Sequence, residues 1–489
     1  MPLQLDRRSF LALVAGTSAG ATGMALLEPF AWLHSAGGAQ ATPLSPLRSR
    51  NGRLEVDLVA QNPAVAIPGG PARALTYNGQ LPGPRLEVEP GDRVRIQLHN
   101  RLDRPTNLHY HGLHIPPNGT ADNVFVSVAP GASYTYAFTL PPNHPAGTFY
   151  YHPHRHGSVA DQVFGGLGGV LLVRGDLNRI PELQAATEQV LFLKDLPGPE
   201  GFGPLGAGWR LGREGPVLTV NGQVRPDFSL ASGGLLRLRI VNGSNARFWR
   251  LALEEHPLHL IATDGGAVAA PLELQDLLLA PGERAEVLVR GQRQSGRYQL
   301  LILPYARGSG ATSSGMGSAD AMGEGRAAGG REGAITIATL TYHGAVAPLP
   351  LPKQLLPVEA LPAPVRTRRL LLHHGMDAAR SMVFLIHGRA YAHERIDTRV
   401  RIGDTEDWVL VNAGVMDHPF HLHLNPFQVI SRNGMPEPFL AWRDVVLVRQ
   451  GETVRIRTRF DDFAGRTVYH CHILDHEDLG MMGILEIRA

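Results

Sequence analysis

One pattern recurs three times along this chain, and it restricts the fold more than any other feature. LTYNGQLPGP (75–84), LTVNGQVRP (218–226) and FLIHGRAY (384–391) each open a unit. A strand pair follows around RVRIQLHN, LRLRIVNGS or WVLVNAG, and then a strand carrying LHYHG, HPLHLI or HPFHLHL. Each unit closes with a glycine turn and two more strands: PGASYTYAF with GTFYYHPH, PGERAEVLV with GRYQLLIL, and QGETVRIRT with GRTVYHCH. A repeat of roughly 150 residues reads as three domains of one fold. The runs are short, rich in Val, Ile, Leu, Thr and Tyr, and cut by Gly and Pro turns, with little helical periodicity. Each domain is therefore expected to be an all-β sandwich.

The expected domains span 42–175, 176–345 and 367–489. Residues 306–334, dominated by Gly, Ala and Ser, read as a flexible loop within the second. Six prolines between 346 and 366 suit an extended linker into the third. Ahead of the repeats, Arg7 and Arg8 in LDRRSFLAL precede a weak apolar stretch to Leu27 and the small-residue run SAGGAQA. This resembles a twin-arginine export signal over residues 1–41, cleaved after Ala41, with a periplasmic or extracellular destination. Interruption by Gly, Ser and Thr makes the stretch poor for spanning a bilayer, so no stable membrane insertion is expected after cleavage. Basic and acidic residues number 46 and 44, which gives no reason to expect nucleic acid or an anionic surface as partner.

Histidines sort by repeat. Four HxH pairs occur: His109 and His111, His152 and His154, His421 and His423, His470 and His472. Residues two apart on a strand share a face, so each pair offers two imidazoles to one point. A single pair is ordinary; four at matching places, two in the first unit and two in the third, point to eight imidazoles meeting at an interface. At the matching place the second unit offers only His256 and His259, in HPLHL, read as relics of the repeat, and it is expected to be a spacer. The same alternation places Cys471, the only cysteine, on the opposite face from His470 and His472. There His418, His476 and Met481 can join it. Two imidazoles, a thiolate and a weak thioether are the donors of a blue-copper electron-transfer centre. Zinc is the rival metal, but a structural zinc site has no use for a thioether or for eight further histidines.

Taken together, LHYHG, YHPH, HPFHLH and HCHILDHEDLGMM resemble the signature of the three-domain, laccase-like bacterial multicopper oxidases. The resemblance covers essentially all of the chain after the export segment. It implies three cupredoxin-like Greek-key β-sandwiches in tandem and four copper ions. Carried over by position, it gives the mononuclear copper to His418, Cys471, His476 and Met481. It gives the isolated copper of a trinuclear cluster to His109 and His421, and the coupled pair to His111, His152, His154, His423, His470 and His472. Asp122 and Glu477 resemble the acids that supply protons in this family, and Cys471 would begin the electron route to the cluster. Dioxygen is the implied acceptor. The expected reductant is a small phenol or similar aromatic reaching an exposed edge of His418 or His476, or docking for outer-sphere transfer. The alternatives are cuprous ion and, from another class, a non-catalytic copper-binding or electron-carrier protein. With domains one and three on one chain, a monomer is expected.

Overall fold

The computed structural model describes residues 46–67, 70–198, 211–308, 333–377 and 382–489; the expected export segment and residues 309–332 of the expected loop lie outside these. Each opening segment makes the turn its residues favour. Asn78-Gly79, Asn221-Gly222 and His387-Gly388 all have positive φ, from 53° to 78°. They join the bridged pairs Tyr77 with Gln80, Val220 with Gln223, and Ile386 with Arg389. Two successive left-handed residues form the tight turn that matches strand twist, which Asn and Gly adopt at little cost.

The strands that follow are equivalent in all three units. Arg53–Gln61 runs parallel to Arg93–Asn100, Thr187–Leu196 to Leu235–Asn242, and Arg366–Gly375 to Thr405–Asn412. The second strand of each pair then lies antiparallel to Ser133–Thr139, Arg284–Arg290 or Thr453–Arg459. A second sheet closes each sandwich over its own apolar core, around Ile96, Trp249 and Trp408 respectively. In Arg93–Asn100 the residues Val94, Ile96 and Leu98 point inward while their neighbours face outward. Its middle-domain counterpart Leu235–Asn242 is buried along its whole length, Arg237 and Arg239 included. Those guanidiniums are matched by Glu286 and Glu188, and Thr148 of the first domain donates to Glu286 at 2.7 Å. The middle domain thus has both faces covered and is packed into its neighbours.

The three strands end on the same corner. Asn100, Asn242 and Asn412 are buried, and each Nδ2 donates to two backbone carbonyls: Arg104 and Val128, Arg247 and Leu279, Met416 and Val448, at 2.8–2.9 Å. Each Oδ1 accepts the amide of the residue two further on. This explains why QLHN, RIVN and VLVN recur.

One expected match is corrected. The strand that pairs with the closing strand Arg297–Leu303 is Trp249–Leu253, as His418–Leu422 pairs with Gly465–Cys471. HPLHL belongs to Leu258–Thr263 in the other sheet, the counterpart of Phe427–Arg432. His256 and His259 are therefore not relics of a ligand strand. His256 contacts the Glu254 carbonyl and Tyr342 Oη at 2.6 and 2.7 Å.

Removing one asparagine corner strands two buried carbonyls and an amide, each costing about 1–3 kcal/mol. Asn242→Ala should therefore lower the thermal unfolding midpoint measurably while leaving metal uptake at ambient temperature intact. An unchanged midpoint in calorimetry would contradict the role assigned to this corner.

Candidate metal centre

The histidine pairs come together from equivalent strands. His109 lies opposite His152, and His421 opposite His470, in matching registers of the first and third domains. Only His109 and His111 lie wholly within a strand; in the other three pairs the second histidine falls just past the strand end. The two halves meet face to face, His109 stacked on His423 at 4.1 Å and His111 on His421 at 3.9 Å. All eight rings are buried.

Their ring nitrogens converge without enough protons to satisfy one another. His470 Nε2 lies 3.1 Å from His154 Nε2 and 3.0 Å from His423 Nε2. Its Nδ1 faces the Cys471 carbonyl at 2.9 Å, which keeps the proton there and leaves Nε2 a bare lone pair. The Nε2 atoms of His109 and His421 have no hydrogen-bond partner among the described residues. Burial pushes all eight imidazoles down, His152 to about 3, so they are neutral at pH 7. Neutral, buried imidazoles with inward lone pairs are what metal ligation requires. Donor atoms of His154, His423 and His470, of His109, His421 and His423, and of His109, His111 and His152 each lie within 4.8 Å of one another.

Cys471 faces the other way, into the third domain's core. Its Sγ is 3.5 Å from His418 Nδ1 and 3.7 Å from His476 Nδ1. The Ile473 amide donates to Sγ at 3.4 Å. Met481 is fully buried in the same core, and its carbonyl accepts the Cys471 amide at 3.0 Å. Burial raises the thiol's pKa, so a bound cation is needed to draw off its proton. A thiolate, two imidazoles and a thioether are soft and borderline donors suited to copper. The expected exposed imidazole edge is not found: His418 and His476 are both buried, and Phe384 stacks on His476 at 3.8 Å.

Both expected carboxylates lie at the histidine cluster. His109 Nδ1 donates to Asp122, whose oxygens lie 2.9 and 3.0 Å away, and the Tyr110 amide donates to Oδ1. Burial pushes Asp122 up to about 8. Glu477 Oε2 is 3.1 Å from His470 Nδ1 and Oε1 is 3.6 Å from His154 Nδ1; burial raises its pKa well above the carboxylate range.

Three residues escaped the sequence reading. Asp444 lies 3.0 Å from His111 Nε2, Arg284 forms a bidentate pair with Asp444, and Tyr150 Oη lies 3.0 Å from His472 Nε2. Asp444 left one signal, a lone acid before the apolar run VVLV in AWRDVVLV.

Multicopper oxidase family models match residues 59–177, 205–319 and 362–489. The chain belongs to the multicopper oxidase family. It is an oxidoreductase that uses copper and oxygen. Among relatives, this multicopper oxidase is 31% identical over 474 residues to the cell division protein FtsP of Escherichia coli, covering 91% of each. A solved multicopper oxidase of Campylobacter jejuni, described as a metallo-oxidase, superposes with TM-score 0.78 at 30% identity, covering 93% of this chain and 96% of that one. A laccase from Pediococcus acidilactici superposes with TM-score 0.77 at 29% identity, covering 93% and 95%.

Proposed function

We propose that this multicopper oxidase is a laccase-like enzyme taking single electrons from small aromatic reductants beside Cys471 and reducing dioxygen among the eight histidines. The observation that carries the reading is the tripeptide His470-Cys471-His472, whose middle residue belongs to one donor set and whose ends belong to the other. His418, Cys471, His476 and Met481 would hold one copper. His109 and His421, whose unpaired Nε2 atoms face inward, would hold a second; His154, His423 and His470 a third; and His111, His152 and His472 a fourth. When bound, copper supplies one-electron redox chemistry at the first site and dioxygen reduction to water at the other three.

The chain's own residues do the rest. The peptide of Cys471 is the covalent link between the sites, and the His470 Nδ1 proton on the Cys471 carbonyl closes a second connection through a hydrogen bond. Burial of both imidazoles beside the thiol, one beneath Phe384, keeps water away and leaves outer-sphere transfer as the entry route for the reductant. Glu477, buried beside His154 and His470 with its pKa raised by that burial, is placed to give up a proton; Asp122 holds His109 and is the second acid within reach.

The laccase among the structural neighbours supports an aromatic reductant, and the Campylobacter metallo-oxidase supports cuprous ion as the second reading. Against a non-catalytic role stands a complete donor set at all twelve positions. The reading extends to export by the twin-arginine route, on the strength of Arg7 and Arg8, and to a monomer, because domains one and three lie on one chain.

Three outcomes follow. The copper-loaded protein should consume oxygen faster with a methoxyphenol than with cuprous ion; uptake confined to cuprous ion would transfer it to the second reading, and none with either would refute an oxidase. Glu477→Gln should slow oxygen reduction on the order of 10²-fold while keeping the blue colour, as loss of a general acid does; full turnover would remove Glu477 from proton supply. In cell fractionation, Arg7→Lys with Arg8→Lys should retain the full-length precursor inside the cell, and unaltered export would show that another route is used.

A further inference from the structure

The middle domain reaches the histidine cluster through one buried side chain. Arg284 is wholly buried and donates through Nη1 and Nη2 to the two oxygens of Asp444, at 2.6 and 2.5 Å. It is fixed by the Thr148 carbonyl of the first domain at 3.1 Å and by the carbonyl of Asp264 at 3.0 Å. Asp264 Oδ1 in turn accepts the Arg284 amide at 2.7 Å, and its Oδ2 accepts the Val445 amide at 3.3 Å. Packing leaves no room to spare: a Cβ on Gly112, which has φ +87°, would fall 2.6 Å from Asp444 Oδ2 and closer still to Arg284.

Asp444 touches two imidazoles through different atoms. Its Oδ1 is 3.0 Å from His111 Nε2, and its backbone carbonyl is 2.8 Å from His421 Nδ1. Both oxygens can only accept, so His111 is protonated at Nε2 and His421 at Nδ1. The lone pairs left over are His111 Nδ1, 3.4 Å from His152 Nε2, and His421 Nε2, which has no partner among the described residues. Two stacked rings are thereby locked in opposite tautomers, each with its bare nitrogen toward the cluster.

We propose that Asp444, held by Arg284 of the middle domain, is a positioning residue that sets the tautomers of His111 and His421 and so prepares the histidine cluster for copper. The proposal rests on the copper reading above. Partners behind a metal-bound histidine fix its ring and tautomer, and their loss typically weakens metal binding about 10- to 100-fold.

The test uses the full-length protein. Long-range proton–nitrogen NMR of the metal-free wild type, labelled at histidine, should show His111 protonated at Nε2 and His421 at Nδ1; either opposite tautomer overturns the proposal. Asp444→Leu removes the acceptor but leaves Arg284 buried without its partner and risks misfolding, so it is paired with the charge-neutral double variant Arg284→Met, Asp444→Leu. In a chelator titration the folded variant should release copper from the histidine cluster about 10- to 100-fold more readily, with a changed paramagnetic resonance signal and undiminished blue absorbance at Cys471. Wild-type copper retention overturns the proposal, as does loss of blue and cluster copper together in step with a falling unfolding midpoint, which would mark a purely structural pair. A wild type that binds copper at Cys471 alone defeats the underlying reading itself.

Discussion

The alternation of side chains along an extended backbone governs this molecule at one point above all, His470-Cys471-His472. A chain of period two cannot place its middle residue beside its neighbours. Once His470 and His472 turn toward the first domain, Cys471 must enter the core of the third, where it lies against His418 and His476. The same rule orients His109 and His111 from the other side of the interface. Separation of two donor sets and their covalent connection are therefore one consequence of strand geometry.

Burying eight imidazoles at that interface is unfavourable for the bare polypeptide. Each unpaired buried nitrogen costs about 1–3 kcal/mol, and the atoms without a partner among the described residues include His109 Nε2, His421 Nε2, His423 Nδ1 and His472 Nδ1. The cost is tolerated because the opposite nitrogens are anchored: His109 by Asp122, His152 by the Pro153 carbonyl, His470 by the Cys471 carbonyl, and His421 by Asp444. Three sandwiches with independent cores supply the stability that the interface gives up. The middle one does more than hold its neighbours apart, since Arg284 and Asp264 meet Thr148 and Asp444 where all three domains converge.

Features with a local or periodic cause were legible in the sequence. The unit-opening segments and the HxH pairs each recur at matching places, and the structure gathers the eight paired histidines in one buried group and Cys471 with His418 and His476 in another. Features created by long-range packing were not. HPLHL resembled a ligand strand because two successive middle-domain strands share an apolar character, and only sheet pairing tells them apart. Phe384 covers His476 from a strand far away in sequence, so no local pattern revealed that the expected exposed edge is buried. Asp444 and Arg284 are 160 residues apart, and neither means anything alone.

The register equivalences also explain why only one of three similar domains carries the cysteine centre. Asn100, Asn242 and Asn412 mark a common origin, from which Thr106, Trp249 and His418 occupy matching positions, each opposite the strand residue whose carbonyl the asparagine binds. Two residues further along, Leu251 lies opposite Ile302 and Phe420 opposite Cys471, and Pro153, which follows His152 as Cys471 follows His470, is the first domain's counterpart. The first domain keeps the histidines on either side of Pro153 but has no thiol or core imidazole there, and the middle domain has replaced both sets with apolar side chains. An interface built from two nearly equivalent halves thus has a donor group behind only one of them. Under the proposed function, electrons reaching the cluster through the chain would enter from the third domain, the one copy of the repeat that carries Cys471.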